Sequence, residues 1–147
     1  MAAPRIFFFL CLSLIAFFVP GDGAISAHHE LMKYGFPIGL LPDNVESYTL
    51  NHTSGLFSVK LEESCRVTLP PDNYLASYSH KITGKIVENR IAELDGISIR
   101  AFFKWWGITG IRSNGQNLVF EVGVVTAKYP SNNFDKSPLC EGTRSSS

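Results

Sequence analysis

A mainly β fold is what the sequence predicts: a single-domain antiparallel β-barrel with a short N-terminal helix. Three observations predict it. The length of 147 residues fits one domain. Apolar and polar residues alternate in short runs divided by Gly, Pro and Asn at intervals of about 8–12 residues, the pattern of sandwiches and barrels. Only one stretch, near the start, has the composition and stop signals of a helix. Hydrophobic residues make up 45 % and charged ones 18 %, which excludes disorder for most of the chain. No repeat of about 20–50 residues is visible, so a solenoid or propeller is excluded.

In chain order, Ile6–Val19 comes first, an uncharged apolar run preceded by Arg5 and broken by Pro20-Gly21. A positive start, a short apolar core and small residues at Gly23, Ala24 and Ser26 describe a secretory signal peptide. The run would reach only ~21 Å as a helix, short of a ~30 Å hydrocarbon core. Residues 1–23 are therefore expected to be a leader and 24–147 one barrel domain without a transmembrane span, with cleavage after Gly23 or after Ser26. The second cut would expose Ala27-His28-His29, whose amine, amides and imidazole suit a square-planar metal if the helix starts beyond them.

His28–Tyr34 is the helix, stopped by Gly35 and Pro37. Strands are expected at Glu46–Asn51 and Leu56–Leu61, around a Thr53-Ser54-Gly55 turn. Cys65–Leu69 alternates next, and Pro70-Pro71-Asp72-Asn73 turns the chain into Tyr74–Ser79 and Lys81–Glu88. Asp95-Gly96 reads as a turn, followed by one long strand from Ile97 to Ile111, bent at Gly107 or Gly110. Ser113-Asn114-Gly115-Gln116 carries the strongest hairpin signal. Leu118, Phe120, Val122 and Val124 then share one face of a last long strand, and the tail beyond Cys140 frays.

Thirteen Lys+Arg balance thirteen Asp+Glu, and no basic stripe appears, which argues against a nucleic-acid partner. With Cys11 in the leader, Cys65 and Cys140 remain, and an even count in an exported chain favours a disulfide over two free thiols. Asn51-His52-Thr53 is an N-glycosylation sequon, so Asn51 is expected on the surface.

Several of these segments resemble the plant family called domain of unknown function 538. The resemblance lies in Tyr34-Gly35-Phe36-Pro37-Ile38-Gly39-Leu40-Leu41-Pro42, Ile82-Thr83-Gly84-Lys85-Ile86, and Leu94-Asp95-Gly96-Ile97 through Phe103 to Trp105. Phe120-Glu121-Val122-Gly123-Val124 and the spaced pair Cys65 and Cys140 complete it, over residues 28–141. It implies a plant protein, a compact β-barrel and frequently a signal peptide, with no catalytic residues to carry over. A likeness of that family to lipid-binding bactericidal/permeability-increasing proteins is an analogy of fold. Lys104 and Trp106 stand where the family is expected to have other apolar residues.

No phosphate-binding glycine loop, Gly-x-Ser-x-Gly elbow or His-Glu-x-x-His is present, and no motif calls for a cofactor or metal. His80, Glu62-Glu63, Glu93 and Asp95 read as solvated strand-end groups, and Tyr74 and Tyr78 as packing residues. The unusual stretch is Phe102-Phe103-Lys104-Trp105-Trp106. Counted along one strand, Ile97, Ile99, Ala101, Phe103 and Trp105 face the core, leaving Arg100, Phe102, Lys104 and Trp106 on the other face. Aromatics beside cations suit an amphipathic ligand, with its apolar body on the rings and an anionic group on Arg100 or Lys104. Coverage of Phe102 and Trp106 by the helix or the C-terminal segment is the competing reading.

The expectation is a secreted, non-enzymatic binder of an apolar or amphipathic small molecule. An extracellular protein-interaction module is the alternative, and a hydrolase with a dispersed site a second. A closed internal cavity lined by apolar side chains favours the first, a flat exposed aromatic patch the second, and a cleft joining His80 to a serine and a carboxylate the third. The oligomeric state is not legible.

Overall fold

Gly35 ends the first helix as the sequence requires. It takes φ +92°, and the Gly35 and Phe36 amides donate to the Met32 and Leu31 carbonyls in a Schellman cap. The structure is a computed structural model and describes residues 23–70 and 72–141. Residues 1–22, on which the expected leader falls, Pro71 of the expected turn and the tail 142–147 lie outside the described residues. Helix α1 spans Gly23–Lys33, starting five residues before the expected His28. Ala27, His28 and Leu31 form its buried face. In the uncut chain Ala27 to His29 lie within this helix, and the carbonyls that their amides would pair with, at residues 23–25, are the ones a cut after Ser26 would remove.

Eight strands follow: β1 Val45–Leu50, β2 Leu56–Leu61, β3 Cys65–Leu69, β4 Tyr74–Val87, β5 Arg90–Ala101, β6 Lys104–Ser113, β7 Asn117–Val122 and β8 Val125–Pro130. Short 3₁₀ turns lie at Ile38–Leu40 and Ser131–Phe134. The sheet is antiparallel, in the order β1-β2-β4-β5-β6-β7-β8. Strand β2 pairs with the second half of β4 and β3 with its first half, so two short strands share one edge of the long one.

The barrel expectation is corrected here, because the sheet is open. Strands β1 and β8 end the order, and no pairing joins them. Alternation reports which face of a strand is buried, but not whether the first and last strands meet. The sheet bends at irregularities between Tyr78 and Thr83 of β4 and between Ile91 and Ser98 of β5. The expected Asp95-Gly96 turn is part of this bend inside β5, with Glu93 and Gly96 at positive φ. Helix α1 packs on β1, and a continuous core of Leu31, Val59, Leu61, Ile82, Ile111 and Leu118 fills the inner face.

Three further boundaries differ from expectation. Tyr74–Ser79 and Lys81–Glu88 are one strand, β4, and Glu88-Asn89 is the turn into β5, with Asn89 at φ +62°. The long strand Ile97–Ile111 is in fact two, folded back at Phe102-Phe103. The last strand likewise folds back at Gly123-Val124. The Ser113–Gln116 hairpin stands: the Asn114 side chain accepts from the Gln116 and Asn117 amides at 3.0 and 2.8 Å.

Cys65 and Cys140 form a disulfide with Cα atoms 5.2 Å apart, tying β3 to the C-terminal segment. Beside it Glu141 bridges to Arg66 through the backbone, and the Glu141 carboxylate accepts from the Thr68 amide and hydroxyl.

Three tyrosines give the fold a pH limit. Tyr48 is pushed up to about 12 by burial, then by its hydrogen bond to and the charge of Glu30. Burial also raises Tyr78, and burial followed by the Asp72 charge raises Tyr129. A raised phenol stabilises the fold fully below the unfolded value near 10, and that contribution is lost as pH rises through the folded value. The unfolding midpoint is therefore expected to be flat from pH 8 to 9.5 and to fall from pH 10 to 12. Tyr48→Phe should reduce that fall, as followed by circular dichroism.

Candidate functional site

Three turns gather at one end of the sheet. Leu69 pairs with Tyr74, Ala101 with Lys104 and Val122 with Val125, so the β3–β4, β5–β6 and β7–β8 turns lie together. The Asn51–Gly55 turn, Glu88-Asn89 and the Ser113–Gln116 hairpin occupy the other end. Behind the first three turns the inner face forms an apolar cavity of about 380 Å³ that opens to solvent at the turns. Ile99, Trp106, Ile108, Phe120, Ala127, Tyr129 and Phe134 line it, together with Leu69, Tyr74, Phe102, Val124 and Val125 from the strand ends and turns. A second void under α1, of about 60 Å³, is a packing gap by comparison.

The β5–β6 hairpin decides which side chains face the cavity. Residues directly opposite on paired strands share a face. Ile99 is opposite Trp106 and Arg100 opposite Trp105. Trp106 thus points inward and Trp105 outward, the reverse of the count along one strand, because a two-residue turn interrupts that count. The Trp106 indole N–H donates to the Ala101 carbonyl at 3.0 Å, so its buried polar atom is satisfied. The Lys104 ammonium lies 4.9 Å from the Trp106 ring centroid. Arg100 is on the outer face, where its guanidinium and that of Arg66 lie 5.8 and 5.5 Å from the Trp105 ring.

Of the four candidate ligand residues, Phe102 and Trp106 line the cavity and Lys104 stacks on Trp106. Arg100 is separated from them by the sheet. Coverage of both rings, the competing reading, fails at Phe102, which is 85 % exposed. The floor, Phe134 packed 5.6 Å from Phe120, went unnoticed in the sequence. So did the wall from β8, whose signal was the Gly123-Val124 turn. Phe134 is fixed by close approach of Gly39, where a Cβ would run into the Phe134 and Lys136 carbonyls.

The turn itself is unusual. Phe102 and Phe103 take φ +53° and +65°, as a type I′ hairpin requires, a conformation that favours Asn-Gly. Bulky residues there cost of order 1–3 kcal/mol each and cluster at functional sites. Phe103 is 96 % exposed and Val124 is fully exposed.

The other chemical candidates are dispersed. His80, Glu62 and Glu63 are exposed. His28 Nε2 lies 2.6 Å from Ser137 Oγ, but also 3.2 Å from each of the Leu41 and Pro42 carbonyls. Ser137 donates to the Leu41 carbonyl at 2.9 Å. Together these contacts join α1 to the C-terminal segment. Among the described residues no group of three or more His, Cys, Asp or Glu could hold a metal ion. Asn51 is exposed at the far end from the cavity, its side-chain oxygen accepting from the Thr53 and Ser54 amides.

A family model described as "Protein of unknown function, DUF538" matches residues 27–135. No curated protein matches the chain.

Proposed function

The chain belongs to the DUF538 family, and we propose that it is a non-enzymatic binder of an apolar or amphipathic small molecule, held in the cavity between β5, β6, β7 and β8. The observation that carries this reading is the lining. About 380 Å³ of space, within the ~300–1,000 Å³ range of small-molecule sites, is walled by aliphatic and aromatic side chains. Of its polar groups, the Trp106 indole N–H and the Tyr129 hydroxyl have partners, the latter donating to Asp72 at 3.3 Å, and Tyr74 adds a third hydroxyl-bearing side chain. Such walls offer an apolar chain a largely apolar surface. Lys104 supplies a cation beside Trp106, suited to an anionic head group.

We also read the protein as a secreted plant glycoprotein. Supporting this are the leader-like run before residue 23, the disulfide, and the exposed sequon at Asn51. No helix among the described residues is long and apolar enough to cross a membrane. The interaction-module reading has one observation in its favour, the unpaired edges of β1 and β8, which could accept an added strand.

Calorimetric titration with laurate, a single apolar chain with an anionic head, tests the proposal. The expected result is saturable binding of one molecule per chain. Ala127→Trp fills the cavity from the edge strand, and should weaken binding by at least about tenfold while the unfolding midpoint moves little. Undiminished affinity in that variant, or no saturable heat with the native chain, would count against it.

A further inference from the structure

The end of the sheet that carries the cavity also carries its most exposed apolar side chains. Phe102, Phe103, Val124 and Val125 stand on two adjacent hairpin tips. Two rings on residues forced to positive φ are held outward by the turn rather than folded onto the core. Cations flank them: Lys104 follows the tip directly, and Arg100 and Arg66 stack on Trp105 beside it. None of the three is in a salt bridge among the described residues. The acids on the neighbouring segments are already engaged, Asp72 with the Tyr129 hydroxyl and Glu141 with Thr68.

We propose that this end of the molecule docks on the surface of an anionic lipid bilayer, with Phe102, Phe103 and Val124 entering the interface and Lys104, Arg100 and Arg66 meeting the head groups. Separate convex tips suit a fluid interface, which closes around protruding rings, better than a rigid partner, which would need a matching socket for each. Aromatic rings favour the water–lipid boundary, and basic residues near it gain from anionic lipid. The Asn51 turn, at the opposite end, would face away from the bilayer. The inference goes beyond the cavity reading and stands without it.

The test is co-sedimentation of the protein, purified after expression of the full chain, with vesicles of phosphatidylcholine alone or with about one-third phosphatidylglycerol. Binding is expected to the anionic vesicles, weaker to phosphatidylcholine alone, and reduced at ~0.5 M salt. Phe102→Asn with Phe103→Gly keeps the I′ turn and removes both rings. It should lower vesicle partitioning more than about tenfold while the unfolding midpoint stays equal or rises. Ala127→Trp, which fills the cavity, should retain vesicle binding, so loss of laurate binding and loss of docking are told apart. Undiminished partitioning of the double variant would overturn the proposal, as would failure of the native protein to sediment with anionic vesicles. A dimer that the double variant dissociates without vesicles would assign the tips to self-association and overturn it equally.

Discussion

Removing the Cys65–Cys140 bridge is expected to lower the free energy of unfolding by about 2–5 kcal/mol. The two cysteines are 75 residues apart in sequence, so the link removes a large part of the unfolded chain's freedom. In the folded state it fastens a segment with few other ties. The C-terminal segment is otherwise held by the Asp43 amide donating to the Pro138 carbonyl, by Ser137, and by Glu141 against Arg66 and Thr68. That segment follows Phe134, the cavity floor, so its release should weaken ligand binding as well. Urea unfolding of Cys65→Ser with Cys140→Ser against the native protein gives the free energy. Thiol counting on the denatured, non-reduced native chain checks the premise, with no free thiol expected from this pair. An unchanged midpoint would show that the segment is held without the bridge.

Phe134→Ala is expected to have the next largest effect, a loss of about 3–5 kcal/mol. Phe134 is 4 % exposed and packs on Phe120, which in turn meets Tyr129 edge-on at 6.1 Å. Deleting the ring removes the contact that sets the bottom of the cavity, and the Gly39 approach keeps the backbone from collapsing into the gap. The space should enlarge, shifting preference among saturated fatty acids toward longer chains. Urea unfolding and a laurate-to-palmitate titration series measure the two effects. A variant as stable as the native protein, with unchanged preference, would remove Phe134 from both roles.

How far the sequence could be read follows from what alternation reports. Strands β2 and β3 were legible to the residue, because Leu56–Leu61 and Cys65–Leu69 are bounded by polar or Gly-rich turns. The Ser113–Gln116 hairpin was legible because Asn114 and Gly115 supply its turn chemistry. Phe102-Phe103 was not, since two phenylalanines oppose the conformation they adopt, and the face assignments of Lys104, Trp105 and Trp106 just beyond them inverted. That one turn moved Trp106 from the outer face to the cavity and left Arg100 behind the sheet. Gly123-Val124 hid in the same way, with Val122, Val124 and Val125 continuing an apolar pattern across a reversal. Sheet closure was illegible for a different reason: it depends on whether β1 meets β8, and no local pattern encodes that. The cysteine pairing followed from there being two cysteines once the expected leader, with Cys11, is set aside.

If the apolar cavity receives the ligand, Trp106 is its internal reporter. In Trp105→Phe, Trp106 is the only tryptophan, and bromine quenches an indole only at contact. Titrating that variant with 9,10-dibromostearate should quench its emission to saturation at one molecule per chain, and laurate should reverse the quenching competitively. Quenching that rises without saturating, or none at all while laurate still binds, would place the ligand elsewhere and contradict the account.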